Sequence, residues 1–349
     1  MNPEIKKLVR KHVLTLKPYS SARDEYKGKE GVFLDANENP FGSVSGGSYN
    51  RYPDPYQRKL KSKLAQLKGL KEEQIFLGNG SDEIIDLLYR TFCEPMEDRV
   101  MTFPPTFGMY EASAGINQVE VLSVPLTSQY QLDLEGIETQ LDDKVKIVFI
   151  CSPNNPTGNL IDRSLIEEVL GKSTGLVVVD EAYGDFAPEA SSLNLLENYP
   201  RLVVLQTFSK AWGMANLRLG MGFSNPDIIS MLNKVKMPYN VNGLSQQMAL
   251  EALSRVELRD QMVEKLLEER EYLKTELEKQ GLVQHIYPSD ANFILVRFDQ
   301  AERRYKELIG QQVVVRNRSK VLLCEDCLRI TVGTRKENEE LLKSLSALR

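Results

Sequence analysis

Short, mainly apolar runs recur along the chain, and several lead into a polar turn bearing glycine or proline. The runs at 75–77, 99–102, 119–124, 145–150, 176–179, 202–205 and 219–223 predict strands. Runs that are continuous rather than alternating mark strands buried on both faces. Between them, residues 56–67, 84–88 and 165–170 carry apolar side chains at helical spacing. Alternation of this kind predicts an α/β fold, with a mostly parallel sheet covered by helices on both faces. A further short strand is expected at 32–34.

Beyond residue 244 the pattern changes. Residues 244–253 continue as helix, and 258–280 form a long helix dense in Glu, Lys and Arg that stops at Gly281. This helix has the character of a connector between lobes. Strands at 293–298, 313–316 and 328–332, with helices at 302–309 and from 336, predict a small α+β lobe. At the other end, residues 1–30 are polar and basic, and Pro18 argues against helix in the patch 14–19. That stretch reads as an arm that must lie on something to be ordered. The expected division is an arm at 1–30, a large domain at 31–250 and a small domain at 251–349.

Composition narrows the classes. A chain of 349 residues is too long for one simple core. A formal net charge of −5 gives no reason to expect nucleic acid or a membrane surface as partner. No apolar run is long enough to span a bilayer. The first ten residues lack the apolar core of a secretory signal, so a cytoplasmic location is expected. Cys324-Glu325-Asp326-Cys327 has the spacing of half a zinc site, but the other half is missing, so it reads as a turn and no metal is expected. The chain has only two histidines, His12 and His285, so protons would be moved by another group.

In sheets of this kind ligands sit at the carboxyl ends of the strands. Asn155, Asp180, Tyr183, Ser209 and Lys210 all fall there. The stretch 207–218 supplies hydroxyls at Thr207 and Ser209, an amine at Lys210, a small-residue loop and a guanidinium at Arg218. A lysine amine can condense with an aldehyde, and burial lowers its pKa so that it is free to do so. Gly78-Asn79-Gly80-Ser81-Asp82-Glu83 feeds a helix start, which is either an ordinary capped helix or an anion site. It lacks the Lys-Ser/Thr of a nucleotide loop, so it suits a single phosphate. Tyr110, in the aromatic loop 103–110, is either a core residue or a plate for a flat ring.

Taken in order, several stretches resemble the fold-type I pyridoxal-phosphate aminotransferases. They are Ala36-Asn37-Glu38-Asn39-Pro40, Arg51-Tyr52-Pro53-Asp54-Pro55, Gly80-Ser81-Asp82-Glu83, Pro105-Thr106-Phe107-Gly108-Met109-Tyr110 and Ser152-Pro153-Asn154-Asn155-Pro156-Thr157-Gly158. Asp180-Glu181-Ala182-Tyr183, Ser209-Lys210 with Arg218, and Leu328-Arg329-Ile330-Thr331-Val332-Gly333-Thr334 complete the set. The resemblance implies a seven-stranded large-domain sheet and pyridoxal 5'-phosphate as cofactor. Lys210 would bind the cofactor covalently and shuttle a proton, and Asp180 would keep the pyridine nitrogen protonated. Tyr183 and Asn155 would hydrogen-bond the ring oxygen, and Tyr110 would stack on the ring. Ser81, Asp82, Thr207, Ser209 and Arg218 would hold the phosphate, joined by Tyr52 from a second subunit, which implies a homodimer. Arg316 and Arg329 would bind the anionic end of the substrate, with Tyr19, Asn37, Tyr52 and Asn155 also at the substrate. The substrates implied are L-histidinol phosphate and the glutamate/2-oxoglutarate pair, with aromatic or broad-range amino acids as the alternative. Two positions depart from the family's pattern. Asn216 stands where glycine is common and is expected to tolerate a left-handed backbone, and Phe107 replaces a common tyrosine.

Overall fold

The computed structural model describes residues 1–19 and 31–348. Seven strands build the main sheet: β1 (Ile75–Asn79), β2 (Arg99–Thr102), β3 (Glu120–Ser123), β4 (Val145–Cys151), β5 (Leu176–Asp180), β6 (Leu202–Thr207) and β7 (Leu219–Ser224). Their order is β1-β7-β6-β5-β4-β2-β3. All neighbours run parallel except β7, which is antiparallel to both β1 and β6. The apolar runs explain the burial: every residue of β5, β6 and β7 is buried. One core lies on each face of this sheet, with Val148, Val179 and Val204 on one side and Phe149, Val178 and Leu205 on the other. Helices Ser81–Phe92 and Pro226–Val235 close the second side.

The small sheet has four strands in the order β10-β11-β9-β8. They are β8 (Val283–Ile286), β9 (Phe293–Phe298), β10 (Arg316–Asn317) and β11 (Cys327–Thr331), all antiparallel. Helices Ala301–Gly310 and Arg335–Ser346 cover it, and Leu273 and Leu277 of the long helix Val256–Leu277 join its core. No helix among the described residues is long and apolar enough to cross a membrane.

Four features differ from expectation. The described part of the arm is not bare coil. Helices Pro3–Leu8 and Lys11–Thr15 bury Ile5, Leu8, Val9 and Val13 against the sheet's second core. Residues 32–34 form no strand, and Val32 and Leu34 are exposed. The strand expected at 313–316 is only Arg316–Asn317, with Val314 in solvent. β8 was not anticipated, because its sequence, Val-Gln-His-Ile, is half polar and lies at the sheet edge. Cys324 lies in the turn between β10 and β11 and Cys327 begins β11, with both thiols free and buried. No metal-holding cluster occurs among the described residues.

Candidate active site

Strand register brings the site together. Cys151 at the end of β4 pairs with Asp180 at the end of β5, so the loop carrying Asn155 leaves the sheet beside that carboxylate. Asp180 is 2% exposed. Its Oδ2 accepts a hydrogen bond from Tyr110 Oη at 2.8 Å, and Oδ1 accepts from the Ala182 amide at 3.0 Å. Burial pushes this carboxyl up to about 6, against the pull of those two hydrogen bonds. Its neighbour Glu181 is buried as well but serves the fold: Ser191 Oγ, the Ser192 amide and Gln206 Nε2 all donate to it.

Lys210 follows β6 on a turn and is exposed, with Nζ 5.3 Å from the Tyr183 ring centroid. Partial desolvation by its neighbours lowers its pKa, and the Arg329 guanidinium lowers it further, against the opposing charge of Asp180. Both effects favour the neutral amine over the ammonium, relative to a lysine in water. Tyr183 is buried, its ring packs edge-on against Phe293 of β9 at 5.0 Å, and burial pushes its hydroxyl up to about 12.

A cradle forms where β1, β6 and β7 meet. Gly80 precedes the helix Ser81–Phe92 with φ +77°, and no side chain caps that helix. The Gly80 amide donates to Arg218 O at 2.8 Å. A Cβ added at Gly220 would lie 2.2 Å from the Ser81 nitrogen, so only glycine lets β7 lie this close to the helix start. Arg218 Nη2 donates to Asp82 Oδ2 at 3.2 Å and Nη1 to Ser209 Oγ at 3.5 Å. Thr207 Oγ1 lies 3.0 Å from Ser209 Oγ and accepts from the Ser209 amide at 3.1 Å. The left-handed residues of this loop are Gly213 and Arg218, so Asn216 did not need the backbone tolerance expected of it.

The small domain adds arginines. Arg316 of β10 lies directly opposite Arg329 of β11. Arg329 donates to Asn155 Oδ1, which ties the small domain to the β4 loop. Its guanidinium carbon lies 5.2 Å from the Phe293 ring centroid. Arg318, which the sequence reading passed over, continues this ribbon.

The position of Tyr110 needs correction. A stacking plate needs a free ring face, but Tyr110 is fully buried, stacked on Phe149 at 4.7 Å and edge-on to Phe107 at 5.6 Å. Its role in the fold is to hold Asp180. Phe107 is the half-buried aromatic of that loop. Asn37 and Tyr52 do not join Lys210 within the chain. They line a groove with Tyr239, on which Tyr52 stacks at 4.6 Å. Tyr19 is 74% exposed, and residues 20–30 of the expected arm lie outside the described residues.

A lysine after β6, a buried carboxylate at the end of the neighbouring β5 and a cradle of donors where β1, β6 and β7 meet gather at the large sheet. The sequence model for aminotransferase class I and II matches residues 26–345, and the chain belongs to that family. Along its whole length the chain is similar to histidinol-phosphate aminotransferases. It is 54% identical to the one from Cytophaga hutchinsonii over 97% of each chain. It is 51% identical to the one from Parabacteroides distasonis over 99% of each chain. The crystal structure of the histidinol-phosphate aminotransferase from Clostridium acetobutylicum is 27% identical, with a TM-score of 0.79, over 85% of this chain and 90% of that one.

Proposed function

We propose that the protein transfers an amino group between L-histidinol phosphate and 2-oxoglutarate, giving imidazole acetol phosphate and L-glutamate. It would do so as a cytoplasmic homodimer carrying pyridoxal 5'-phosphate. The observation that carries this reading is that Lys210 lies in the field of two separate cations, Arg218 of the large domain and Arg329 of the small one. One cation suits a cofactor phosphate and the other a substrate anion. Full-length similarity to histidinol-phosphate aminotransferases supports the choice of substrate.

The residues present fit the cofactor. Arg218, the Ser209 and Thr207 hydroxyls and the first amides of the helix Ser81–Phe92 form a donor set for one phosphate. Asp180 is a buried carboxylate that a ring N–H would pair. Pyridoxal phosphate, when bound, supplies an aldehyde that takes the amino group and a ring that withdraws electrons from the reacting carbon. Asp180 Oδ would hold the proton at the ring nitrogen, and Tyr110 Oη keeps that carboxylate aimed and ionised. Lys210 Nζ would bind the aldehyde carbon and then carry the proton to and from the substrate carbon. Asn155 and Tyr183 would hold the ring oxygen, and Phe107 would lie along the ring in the place expected of Tyr110. Arg316 and Arg329 would bind the phosphate of one substrate and a carboxylate of the other, with Asn37 and Tyr19 closing over them. Tyr52 would reach the cofactor phosphate of a second subunit.

The test is to mix cofactor-loaded protein with L-histidinol phosphate or with L-phenylalanine and follow the cofactor's absorbance. Conversion to the amino form should be much faster with L-histidinol phosphate. Fast conversion by phenylalanine alone would replace this reading with an aromatic aminotransferase.

A further inference from the structure

Three arginines stand on one face of the β10–β11 ribbon. Arg316 faces Arg329 across the ladder, and the Arg318 amide donates to Cys327 O at 2.9 Å, continuing the same pairing. Successive side chains of a strand alternate, so Arg316 and Arg318 share a face, and Arg329 lies diagonal to Arg318. Like charges directly opposite each other destabilise a ladder, and a third on the same face adds to that cost.

Among the described residues, no carboxylate neutralises the group. The Nε atoms of both Arg318 and Arg329 are buried without a hydrogen-bond partner. No carboxylate is among the charges acting on either residue. Burial first, and then the guanidiniums of Arg329 and Arg316, push Arg318 below its usual range. A guanidinium donor left in this state calls for an anion. Arg318 is also close to the reacting centre, because Tyr183, beside Lys210, lies in the field of both Arg329 and Arg318.

We propose that Arg318 is a specificity-determining residue that supplies the third guanidinium of a site for a phosphate-monoester dianion. The inference rests on the proposed function and deepens it. The Arg316/Arg329 pair suffices for the single negative charge of a glutamate carboxylate. A phosphate dianion has one more oxygen and one more charge to satisfy, and Arg318 is placed to meet both. The arrangement explains how one pocket can favour a phosphate ester and still admit a carboxylate.

The experiment compares the cofactor-loaded wild type with Arg318→Gln and Arg318→Lys on three amino donors: L-histidinol phosphate, L-histidinol and L-glutamate. Arg318→Gln should lower kcat/KM for L-histidinol phosphate by roughly 10- to 100-fold, as expected for lost charged hydrogen bonds. L-Histidinol and L-glutamate should change by less than about threefold, and Arg318→Lys should recover part of the loss. Calorimetric titration with L-histidinol phosphate should show the same loss in affinity, and the unliganded variant should melt no lower than the wild type because a like charge has gone. An equal loss on all three donors with a lowered melting temperature would make Arg318 a structural residue and overturn the inference. A wild type that uses L-histidinol phosphate, with an unaffected Arg318→Gln, would overturn it while leaving the proposed function intact. A wild type indifferent to the phosphate group would overturn both.

Discussion

On the proposed reading the large-domain cradle and the small-domain ribbon both hold anions, but they are wired differently. On the large-domain side Arg218 is partnered by Asp82 and Ser209, and Asp180 by Tyr110 and Ala182. In the ribbon, Arg318 and Arg329 keep buried Nε atoms without partners. A site whose ligand stays through every turnover benefits from donors fixed in place beforehand. A site that must release one anion and accept another does better with donors held by a ladder but not committed to an internal acid. The difference also separates the effects of mutation: changes in the cradle should strike every substrate alike, and changes in the ribbon should sort substrates by their anionic group.

The largest effect belongs on the cradle side. Lys210→Ala should reduce transamination of every donor by roughly 10⁴-fold or more, measured as steady-state turnover, because both the covalent anchor and the proton carrier are lost. Asp180→Asn should cost roughly 10²- to 10³-fold in kcat on all donors. It also carries a sign that can be checked on the cofactor-free protein. Burial raises the folded carboxyl from 3.8 to about 6, so the native state holds the proton more tightly than the unfolded chain. The wild type therefore loses stability, relative to Asp180→Asn, as pH rises from about 4 to about 6. Above that window the amide variant should be more stable by up to about 3 kcal/mol, read from thermal melts across pH.

Effects on the ribbon should be smaller and selective. Arg329→Gln should lower kcat/KM by roughly 10- to 100-fold for both L-histidinol phosphate and L-glutamate, since each presents an anion to it. L-Histidinol, which has no such anion, should be nearly unaffected in a parallel assay. The smallest effect returns to the cradle. Tyr110→Phe should cost about fivefold in kcat, the worth of one hydrogen bond, uniformly across donors. Since that bond favours the ionised carboxylate, its loss should move Asp180 above its present value and shift the acid limb of cofactor binding to higher pH.

The cradle was also the more legible region. β4, β5 and β6 are dominated by apolar runs, so their ends, and with them Asn155, Asp180, Ser209 and Lys210, could be located without coordinates. Which aromatic of the 103–110 loop faces the cleft could not, because that depends on how the loop docks on Phe149. Arg318 was invisible for a similar reason: only the register of Arg316 against Arg329 puts it on the same face. The N-terminal helices were missed because Arg10 interrupts the spacing of Ile5, Leu8, Val9 and Val13 between two very short elements. Residues 32–34 satisfied the strand pattern but had no sheet edge to join, and their side chains remain in solvent.

Borohydride reduction of the cofactor-loaded protein, followed by peptide mapping, tests the central claim most directly. The account predicts one pyridoxyl group per chain, on Lys210. A label on any other lysine, or no label after reconstitution with the cofactor, would contradict it.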